Sequence, residues 1–303
     1  MHISIAGRLG SGKSTICNKL KSKHGFHVYS TGAIHREIAR EHNVSTLEMN
    51  SLMAKDLSFD HAIDDAVTRI SVEREGETIV FDSRMAWNFA VNSFKIFVTV
   101  DPLVAAQRVL GSRRGEEEVY SDLEEAKLKL IERGRLENER FIDIYGVDNF
   151  DYLNYDLVID STFASSYKLT ELVYEKFRAF NGEKKDILLS PASLYPLADM
   201  SEADREKLRT YIEEKDYLYN YITIAVLDGY HYIVDGHYRV LAAIVNGEDF
   251  VNVVIANPAE YPYAESLQSL ICTIENYNIA SVKAFEELGR FCYKSYPSYY
   301  IRH

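Results

Sequence analysis

The sequence has few of the residues typical of secreted, membrane-spanning or nucleic-acid-coating proteins. Its three cysteines, Cys17, Cys272 and Cys292, are odd in number and far apart, which predicts free thiols in a reducing, cytoplasmic compartment. It has no run of about 18 apolar residues, the length that a membrane-spanning helix needs, and no basic segment that would begin a secretory signal. With 34 basic and 46 acidic residues, its formal net charge is −12, which disfavours nucleic acid as a partner.

Proline and tyrosine are distributed unevenly along the chain. Only Pro102 of the six prolines lies before residue 191, whereas 15 of the 22 tyrosines lie at or after Tyr195. Between these two regions the polar stretch FNGEKKD contains Gly182, a residue type that is common in linkers and at helix ends. The sequence therefore predicts two domains, residues 1–181 and residues 182–303.

The first region alternates short apolar runs with helical patterns. Five runs predict strands: HISIAG, HVYST, ETIVFDS, KIFVTVD and YDLVIDS. Helical spacing separates them, as in TICNKLKSKHG, which ends at Gly25, and in a long charged stretch over roughly residues 103–142. The alternation predicts an α/β domain with a five-stranded parallel sheet, and such sheets bind ligands at the carboxyl ends of their strands.

The second region predicts a smaller α+β domain. SEADREKLRTYIEEKD predicts a helix with Ser201 as its N-cap, and NYITIAVLDGYHYIVDG predicts a hairpin that turns at Asp228 and Gly229. HYRVLAAIVNG predicts a helix ending at Gly247, and FVNVVIA predicts a further strand. For the tyrosine-rich residues 257–303 two interpretations stay open: they pack the domains together, or they form the face of a homodimer.

The most specific motif lies directly after the first predicted strand. GRLGSGKST fits the phosphate-loop (P-loop) pattern G-x-x-x-x-G-K-[ST]. The glycines let backbone N–H groups approach phosphate oxygens, the lysine reaches the β and γ phosphates, and the serine hydroxyl can bind Mg²⁺. The pattern predicts an ATP and Mg²⁺ site formed by Gly7, Gly10, Ser11, Gly12, Lys13, Ser14 and Thr15. Asp82, at the end of the third strand, is either a second Mg²⁺ ligand or a cap of the next helix.

Four later segments carry a family resemblance: STGAIHREIA, FDSRMAW, RRGEEE and ERGRLENERFIDIYGVD. With the phosphate loop they make residues 2–177 resemble the nucleoside monophosphate kinases, and most closely the archaeal-type cytidylate kinases. The resemblance implies a P-loop kinase with a parallel five-stranded sheet and a helical lid. It also implies direct phosphoryl transfer from ATP to a small acceptor, either CMP, dCMP or a related compound.

The resemblance also assigns site residues. It implies that Ser30, Gly32, Arg36, Arg84, Glu137 and Arg140 hold the acceptor, that Lys13, Arg133 and Arg140 surround the transferring group, and that Arg113 belongs to the donor site. Arg133, Glu137 and Arg140 share one helical face by their spacing, so a surface ion-pair ladder is the alternative. His35 and Ser83 stand where the family has an aromatic residue and a glycine, so the acceptor stays open.

A second motif follows in the C-terminal region. In YIVDGHYRVLAA, Asp235 and Gly236 predict a tight turn before a helix, with His237 and Arg239 at the helix start, which is a pattern typical of phosphate sites. The alternative is a hairpin-to-helix turn without a ligand. Residues 187–256 resemble ParB-N/sulfiredoxin-like domains. That resemblance leaves three hypotheses open: a second nucleotide that regulates the kinase, a serine-type kinase site, or a partner-binding module. For the whole chain, a nucleotide-dependent regulatory protein is the alternative to a kinase.

Overall fold

The computed structural model describes residues 1–32, 40, 44, 58–111, 120–183, 185–198, 200, 202–257 and 279–293. The chain forms two compact units. The first comprises Met1–Thr99, Ala105–Ser161 and Ser165–Lys185, and the second comprises Val100–Val104, Thr162–Ala164 and the chain from Asp186 onward. The division into domains at residue 182 stays a prediction. Within these described ranges no helix is both long and apolar enough to cross a membrane.

The first unit contains a parallel β-sheet built from the five predicted strands. These are β1 (His2–Gly7), β2 (His27–Ser30), β3 (Ile79–Asp82), β4 (Ser93–Thr99) and β5 (Leu157–Asp160). They lie in the order β2-β3-β1-β4-β5, and every neighbouring pair is parallel. The predicted α/β fold with mostly parallel strands is therefore confirmed, and the carboxyl ends of all five strands lie at one edge of the sheet.

Helices connect these strands. They are α1 (Lys13–His24), α2 (Ser58–Glu73), α3 (Ala86–Phe89), α4 (Pro102–Leu110), α5 (Leu123–Tyr145) and α6 (Ser166–Ala179), with a short 3-10 helix at Tyr152–Asn154. Helix α5 begins where the Asp122 carboxylate accepts the Glu125 N–H, and it ends at Gly146 with a φ of 68°. The charged stretch at residues 103–142 thus contains two helices, with residues 112–119 outside the described part.

Strands β1, β3, β4 and β5 of this sheet are largely buried, as is usual for parallel sheets, whereas the outer strand β2 is half-buried or exposed. Every residue of β1 is buried, and Ile3 and Ile5 have no exposed surface. Phe97 of β4 contacts the rings of Phe150, Tyr152 and Tyr155. These aromatic contacts fix the segment after α5 against the end of β4, next to the edge where ligands bind.

The second unit contains a mixed sheet. Its strands are β6 (Asp186–Leu189), β7 (Leu194–Pro196), β8 (Ile222–Leu227), β9 (Tyr230–Asp235) and β10 (Val251–Ile255), in the order β6-β10-β8-β9-β7. The pairs β6/β10 and β8/β9 are antiparallel, and β8/β10 and β7/β9 are parallel. The predicted hairpin forms β8 and β9, and Asp228 and Gly229 at its turn have φ angles of 51° and 89°.

Three α-helices and two 3-10 helices are described in the second unit. They are α7 (Arg205–Glu214), α8 (His237–Val245) and α9 (Ile279–Gly289), with 3-10 helices at Pro191–Ser193 and Asp216–Leu218. The predicted N-cap Ser201 lies outside the described residues. The cap of α7 is Asp204, whose carboxylate accepts the N–H groups of Glu206 and Lys207. Helix α8 ends at Val245, two residues before Gly247, which has a φ of 75°.

Candidate active site

The phosphate loop joins β1 to α1 and needs glycine at three positions. Gly7, Gly10 and Gly12 have φ angles of 149°, 73° and 84°, which side chains disfavour. A Cβ atom at Gly7 would lie 2.3 Å from the Val98 carbonyl oxygen, and one at Gly10 would lie 2.8 Å from the Ala105 carbonyl oxygen. The loop is therefore pressed against neighbouring backbone. It brings the positive end of α1 to the carboxyl edge of the sheet, where an anion is stabilised.

Ser14 and Asp82 are brought together at this edge. The Ser14 hydroxyl donates a hydrogen bond to Asp82 Oδ2 at 2.8 Å, which joins α1 to the end of β3. Asp82 does not cap α3: that helix has no side-chain cap, and the Met85 N–H donates to Ser83 Oγ instead. Burial raises the pKa of Cys17 well above its usual range, the Asp82 carboxylate raises it further, and the Lys13 ammonium opposes the rise. The Asp82 carboxylate and the Lys13 ammonium therefore both lie near the Cys17 thiol, which stays protonated.

Glu137 holds two of the predicted arginines. Its carboxylate forms an ion pair with Arg84, which follows β3, and lies 3.7 Å from Nε of Arg133 on its own helix α5. The Arg84 and Glu137 side chains are about a quarter exposed, and Arg133 is 37% exposed. Arg133 and Glu137 are four residues apart on α5, so the alternative of an ion-pair ladder along this helix stays open. On the same helix Arg135 pairs with Glu132 and Glu139, and these side chains are half exposed. The structure therefore joins Arg84, which follows the third strand, to Glu137 on α5. Their roles in holding an acceptor stay predictions.

Of the other predicted site residues, some lie at the same edge of the sheet and some lie outside the described residues. Ser30 ends β2 in register with Asp82, and the Thr31 hydroxyl between Ser30 and Gly32 donates to the Asp82 carbonyl oxygen at 3.4 Å. The Arg140 guanidinium carbon lies 5.6 Å from the centre of the Phe141 ring, and Thr15 is exposed. Arg36, His35 and Arg113 lie outside the described residues, so their assignments stay predictions.

Two arginines that were not predicted as site residues also lie at the loop, Arg108 as a neighbour and Arg8 as a member. Arg108 of α4 donates from Nη1 to the Gly10 carbonyl oxygen at 3.4 Å and to Ser161 Oγ at 3.0 Å. Its Nη2 donates to the Ser161 carbonyl oxygen at 2.6 Å, so Arg108 links the loop to the end of β5. Arg8 lies inside the loop motif, with its guanidinium carbon 4.3 Å from the centre of the Phe150 ring. The position of Arg8 in the motif was the one sequence signal available for either residue.

Two polar atoms of the loop are buried without a partner in the described part of the chain. The Ser11 hydroxyl is in a side chain only 2% exposed, and neither Ser11 Oγ nor Arg8 Nε has a hydrogen-bond partner among the residues that the structure describes. A buried polar group without a partner costs about 1–3 kcal/mol. Phosphate oxygens, which accept hydrogen bonds, would satisfy both atoms. The loop therefore fits a nucleotide, and the Ser14 and Asp82 oxygens fit the preference of Mg²⁺ for oxygen ligands.

Comparison with known proteins identifies the first unit. A model of the "Cytidylate kinase-like family" matches residues 2–163, which is more than half of the chain. The chain belongs to the cytidylate kinase-like family. It is therefore a kinase that uses a small-molecule phosphate acceptor. The predicted likeness of the N-terminal region to archaeal cytidylate kinases is confirmed.

Curated cytidylate kinases of archaea are similar over nearly their whole length. The enzyme of Thermoplasma acidophilum is 30% identical over 191 residues, which cover 62% of this chain and 96% of that protein. The enzyme of Methanosarcina mazei is 34% identical over 176 residues, 57% of this chain and 94% of its own. The enzyme of Pyrococcus abyssi is 34% identical over 163 residues, 53% and 84% respectively. The kinase unit thus has full-length counterparts, and the family model leaves residues 164–303 unmatched.

Outside the matched family region, His237 and Arg239 of the DGHYR motif are both hydrogen-bonded to other groups of the protein. Helix α8 begins at His237 after Gly236, which has a φ of 98°. Nε2 of His237 accepts the backbone N–H groups of Leu197 and Ala198, both at 3.1 Å. Burial lowers the pKa of His237 to about 4, against a weaker opposing effect of Asp235. The imidazole is therefore neutral near pH 7 and acts as an acceptor.

Arg239 of the same motif is also engaged by protein groups. Its Nε donates to Asp216 Oδ2 at 2.6 Å, and its Nη1 donates to Asp235 Oδ2 at 3.2 Å and to the Tyr221 carbonyl oxygen at 3.1 Å. Two carboxylates thus surround one guanidinium, beside a neutral imidazole. The guanidinium charge is therefore already balanced by two carboxylates, which differs from the unpaired cation that the motif suggests. A phosphate site at Asp235, Gly236, His237 and Arg239 stays a prediction.

The His237 contacts predict a pH dependence of stability. Because the pKa of His237 is lowered from 6.5 to about 4 in the folded chain, the unfolded chain binds a proton in this interval that the folded chain does not. Stability is therefore complete above about pH 6.5 and falls as the pH decreases toward 4, by about 2 kcal/mol at about pH 5. We expect the melting temperature of the wild type to fall more between about pH 7.5 and about pH 5 than that of His237→Asn, whose amide oxygen accepts without titrating. Equal decreases in the two proteins would contradict this role.

Proposed function

We propose that this protein transfers the γ-phosphoryl group of ATP, in the presence of Mg²⁺, to a nucleoside monophosphate of the CMP or dCMP type or to a closely related small acceptor. The observation that carries the proposal is that Arg84 and Arg133 both pair with Glu137, at the same edge of the sheet as the phosphate loop. We call these three residues the bracket. This edge offers a donor site and, beside it, two cations that an acceptor phosphate can recruit. The cytidylate kinases among the relatives support the choice of acceptor.

The donor side of the site is formed by the loop and the start of α1. Backbone N–H groups and the helix end would hold the β-phosphate, and Lys13 would contact the β and γ oxygens. Ser14 and Asp82 would hold Mg²⁺, which neutralises phosphate charge when bound. The Ser11 hydroxyl, buried without a partner among the described residues, adds one more donor toward the phosphates. Together these groups would fix the γ-phosphorus in line with an acceptor oxygen.

The acceptor side is formed by Arg84, Arg133, Glu137 and Arg140, with Ser30 and Gly32 at the end of β2. An arginine guanidinium binds a phosphate through two parallel N–H donors, so Arg84 would grip the acceptor phosphate. Glu137 now balances Arg84 and Arg133. When a phosphate takes its place, the carboxylate becomes free to accept a hydrogen bond from a sugar hydroxyl. An acceptor with both a phosphate and a sugar would therefore satisfy every charged group of the bracket.

The reaction needs little covalent chemistry from the protein. An oxygen of the acceptor phosphate bonds to the γ-phosphorus while the bond to the β–γ bridging oxygen breaks, and ADP leaves with that electron pair. Charge neutralisation and alignment therefore account for catalysis. Lys13, Arg133 and Arg140 would supply the positive charge, and closure of the segment around α5 would exclude water, which otherwise hydrolyses ATP.

A coupled assay of ADP release tests the proposal. The acceptors are CMP, dCMP, UMP and AMP, together with nucleosides and small hydroxylated metabolites. We expect ADP release that depends on the acceptor, with CMP or dCMP among those of highest kcat/KM. Tight ATP binding with no acceptor-dependent turnover would instead support the nucleotide-dependent regulatory alternative. For the second unit, a serine-type kinase activity requires that Arg239→Ala remove a turnover that Lys13→Met retains.

A further inference from the structure

Arg8 is a second cation in the phosphate loop besides Lys13. It follows Gly7 directly, and its backbone N–H donates to the Val98 carbonyl oxygen at 3.0 Å, at the end of β4. Its guanidinium carbon lies 4.3 Å from the centre of the Phe150 ring, a cation–π contact. Backbone and side chain are thus both fixed, so the guanidinium does not extend freely into solvent.

The Arg8 side chain lies near helix α5 as well as near the end of β4. A Cβ atom added at Gly134 would lie 3.5 Å from Phe150 Cζ, so the ring that supports Arg8 also packs on the helix next to Arg133. On its other side, Arg8 lies near the Tyr152 hydroxyl: burial raises the pKa of Tyr152, and the Arg8 charge opposes that rise. Tyr152 in turn donates to Thr99 Oγ1 at 3.1 Å, at the carboxyl end of β4. Arg8 therefore lies at the ligand-binding edge of the sheet.

The guanidinium of Arg8 keeps an unused donor. Its Nε is buried, and no described residue accepts a hydrogen bond from it. Such a donor is unfavourable unless a ligand supplies an acceptor, and the nearest ligand site is the loop of which Arg8 is a part. Phe150 contacts both the Arg8 guanidinium and helix α5 at Gly134, so Arg8 lies near the helix that carries the predicted acceptor residues Arg133 and Glu137. In a kinase the γ-phosphoryl group is the part of ATP that must meet the acceptor, so it is the phosphate to which a cation near this helix would be directed.

We propose that Arg8 is a further phosphate ligand of the site: its guanidinium contacts the γ-phosphoryl group, and Phe150 positions it. The inference rests on the kinase activity and extends the set of charges around the transferring group. Arg84, Arg133 and Arg140 approach from the acceptor side, whereas Lys13 and Arg8 approach from the loop. Positive charge on both sides stabilises the equatorial oxygens during transfer.

Comparing the binding of ATP and ADP to Arg8→Met tests this inference. A contact with the γ-phosphoryl group stabilises ATP but not ADP. We therefore expect the ATP affinity to fall at least about 10-fold, the ADP affinity to stay within about 3-fold, and kcat/KM to fall about 100-fold. Isothermal titration calorimetry with Mg²⁺ present measures both affinities. Arg8→Lys keeps the charge and is expected to recover part of the loss in ATP affinity.

Two further variants separate phosphate binding from structural support. Phe150→Leu removes the ring under the guanidinium and is expected to reproduce a weaker form of the Arg8→Met defect, with ATP affected more than ADP. Arg135→Met, at an exposed ion pair of α5, is expected to bind both nucleotides like the wild type. If Arg8→Met lowers the melting temperature and weakens ATP and ADP equally, Arg8 is a structural brace and the inference is wrong. Since this comparison needs no acceptor, it stands even if the proposed CMP-type acceptor fails.

Discussion

Replacement of Arg84 by alanine is expected to lower kcat/KM for the acceptor by about 100-fold, equivalent to about 3 kcal/mol, while ATP affinity stays unchanged. Arg84 follows β3 and forms an ion pair with Glu137 of α5. A phosphate that exchanges with Glu137 would gain a charge-assisted, two-pronged contact, which the alanine variant cannot supply. Steady-state kinetics with varied acceptor, and calorimetry with ATP alone, measure the two quantities.

This experiment separates a kinase from a nucleotide-dependent regulatory protein. Lys13→Met would impair both, because the proposed contact of Lys13 with the ATP phosphates is needed in either case. Arg84→Ala impairs only a reaction that uses an acceptor. Arg135→Ala is the matched control, since Arg135 lies on α5 but pairs with Glu132 and Glu139 at the surface. An Arg84→Ala variant with wild-type kinetics, or with ATP and acceptor binding weakened equally, would contradict the assignment of Arg84 to the acceptor.

The fold of the first unit could be predicted because each of its strands is signalled locally. Strands buried on both faces are continuous apolar runs, and IVFD and LVID differ clearly from the charged helices between them. The phosphate loop is equally local, since its glycines are required by backbone conformation within a few residues. The hairpin at Asp228 and Gly229 was predictable for the same reason.

Contacts between distant segments could not be predicted in the same way. Arg108 braces Gly10 across 98 residues of sequence, and nothing in its own surroundings distinguishes it from other helical arginines. In the second unit, the charge balance of Arg239 depends on Asp216, which belongs to another element. The motif shows Arg239 and Asp235, four residues apart, but the contact of Arg239 with the second carboxylate, Asp216, becomes visible only after folding. The ion pair of Glu137 with Arg84, 53 residues away, likewise depends on tertiary structure, which helical spacing does not carry.

Replacement of Asp82 by asparagine is expected to lower kcat by about 100-fold and to raise the Mg²⁺ concentration needed for half-maximal activity. Asp82 and Ser14 are hydrogen-bonded at 2.8 Å across β3 and α1, and together they present oxygen ligands beside the loop. Asparagine keeps the size and a hydrogen-bond acceptor but removes the negative charge. Titration of activity with Mg²⁺ at saturating ATP measures the shift.

A purely structural role for the Ser14–Asp82 bond predicts a different result. If the bond only joined α1 to β3, Asp82→Asn would lower the melting temperature and leave the Mg²⁺ dependence unchanged. Binding of ATP with Mg²⁺ and with a chelator separates the two cases: a metal ligand weakens only the first, and a structural tie weakens both. The double variant Ser14→Ala/Asp82→Asn completes a thermodynamic cycle. Because both residues would act on one ion, their effects on Mg²⁺-dependent ATP binding are expected to be less than additive, whereas independent roles would give additive losses.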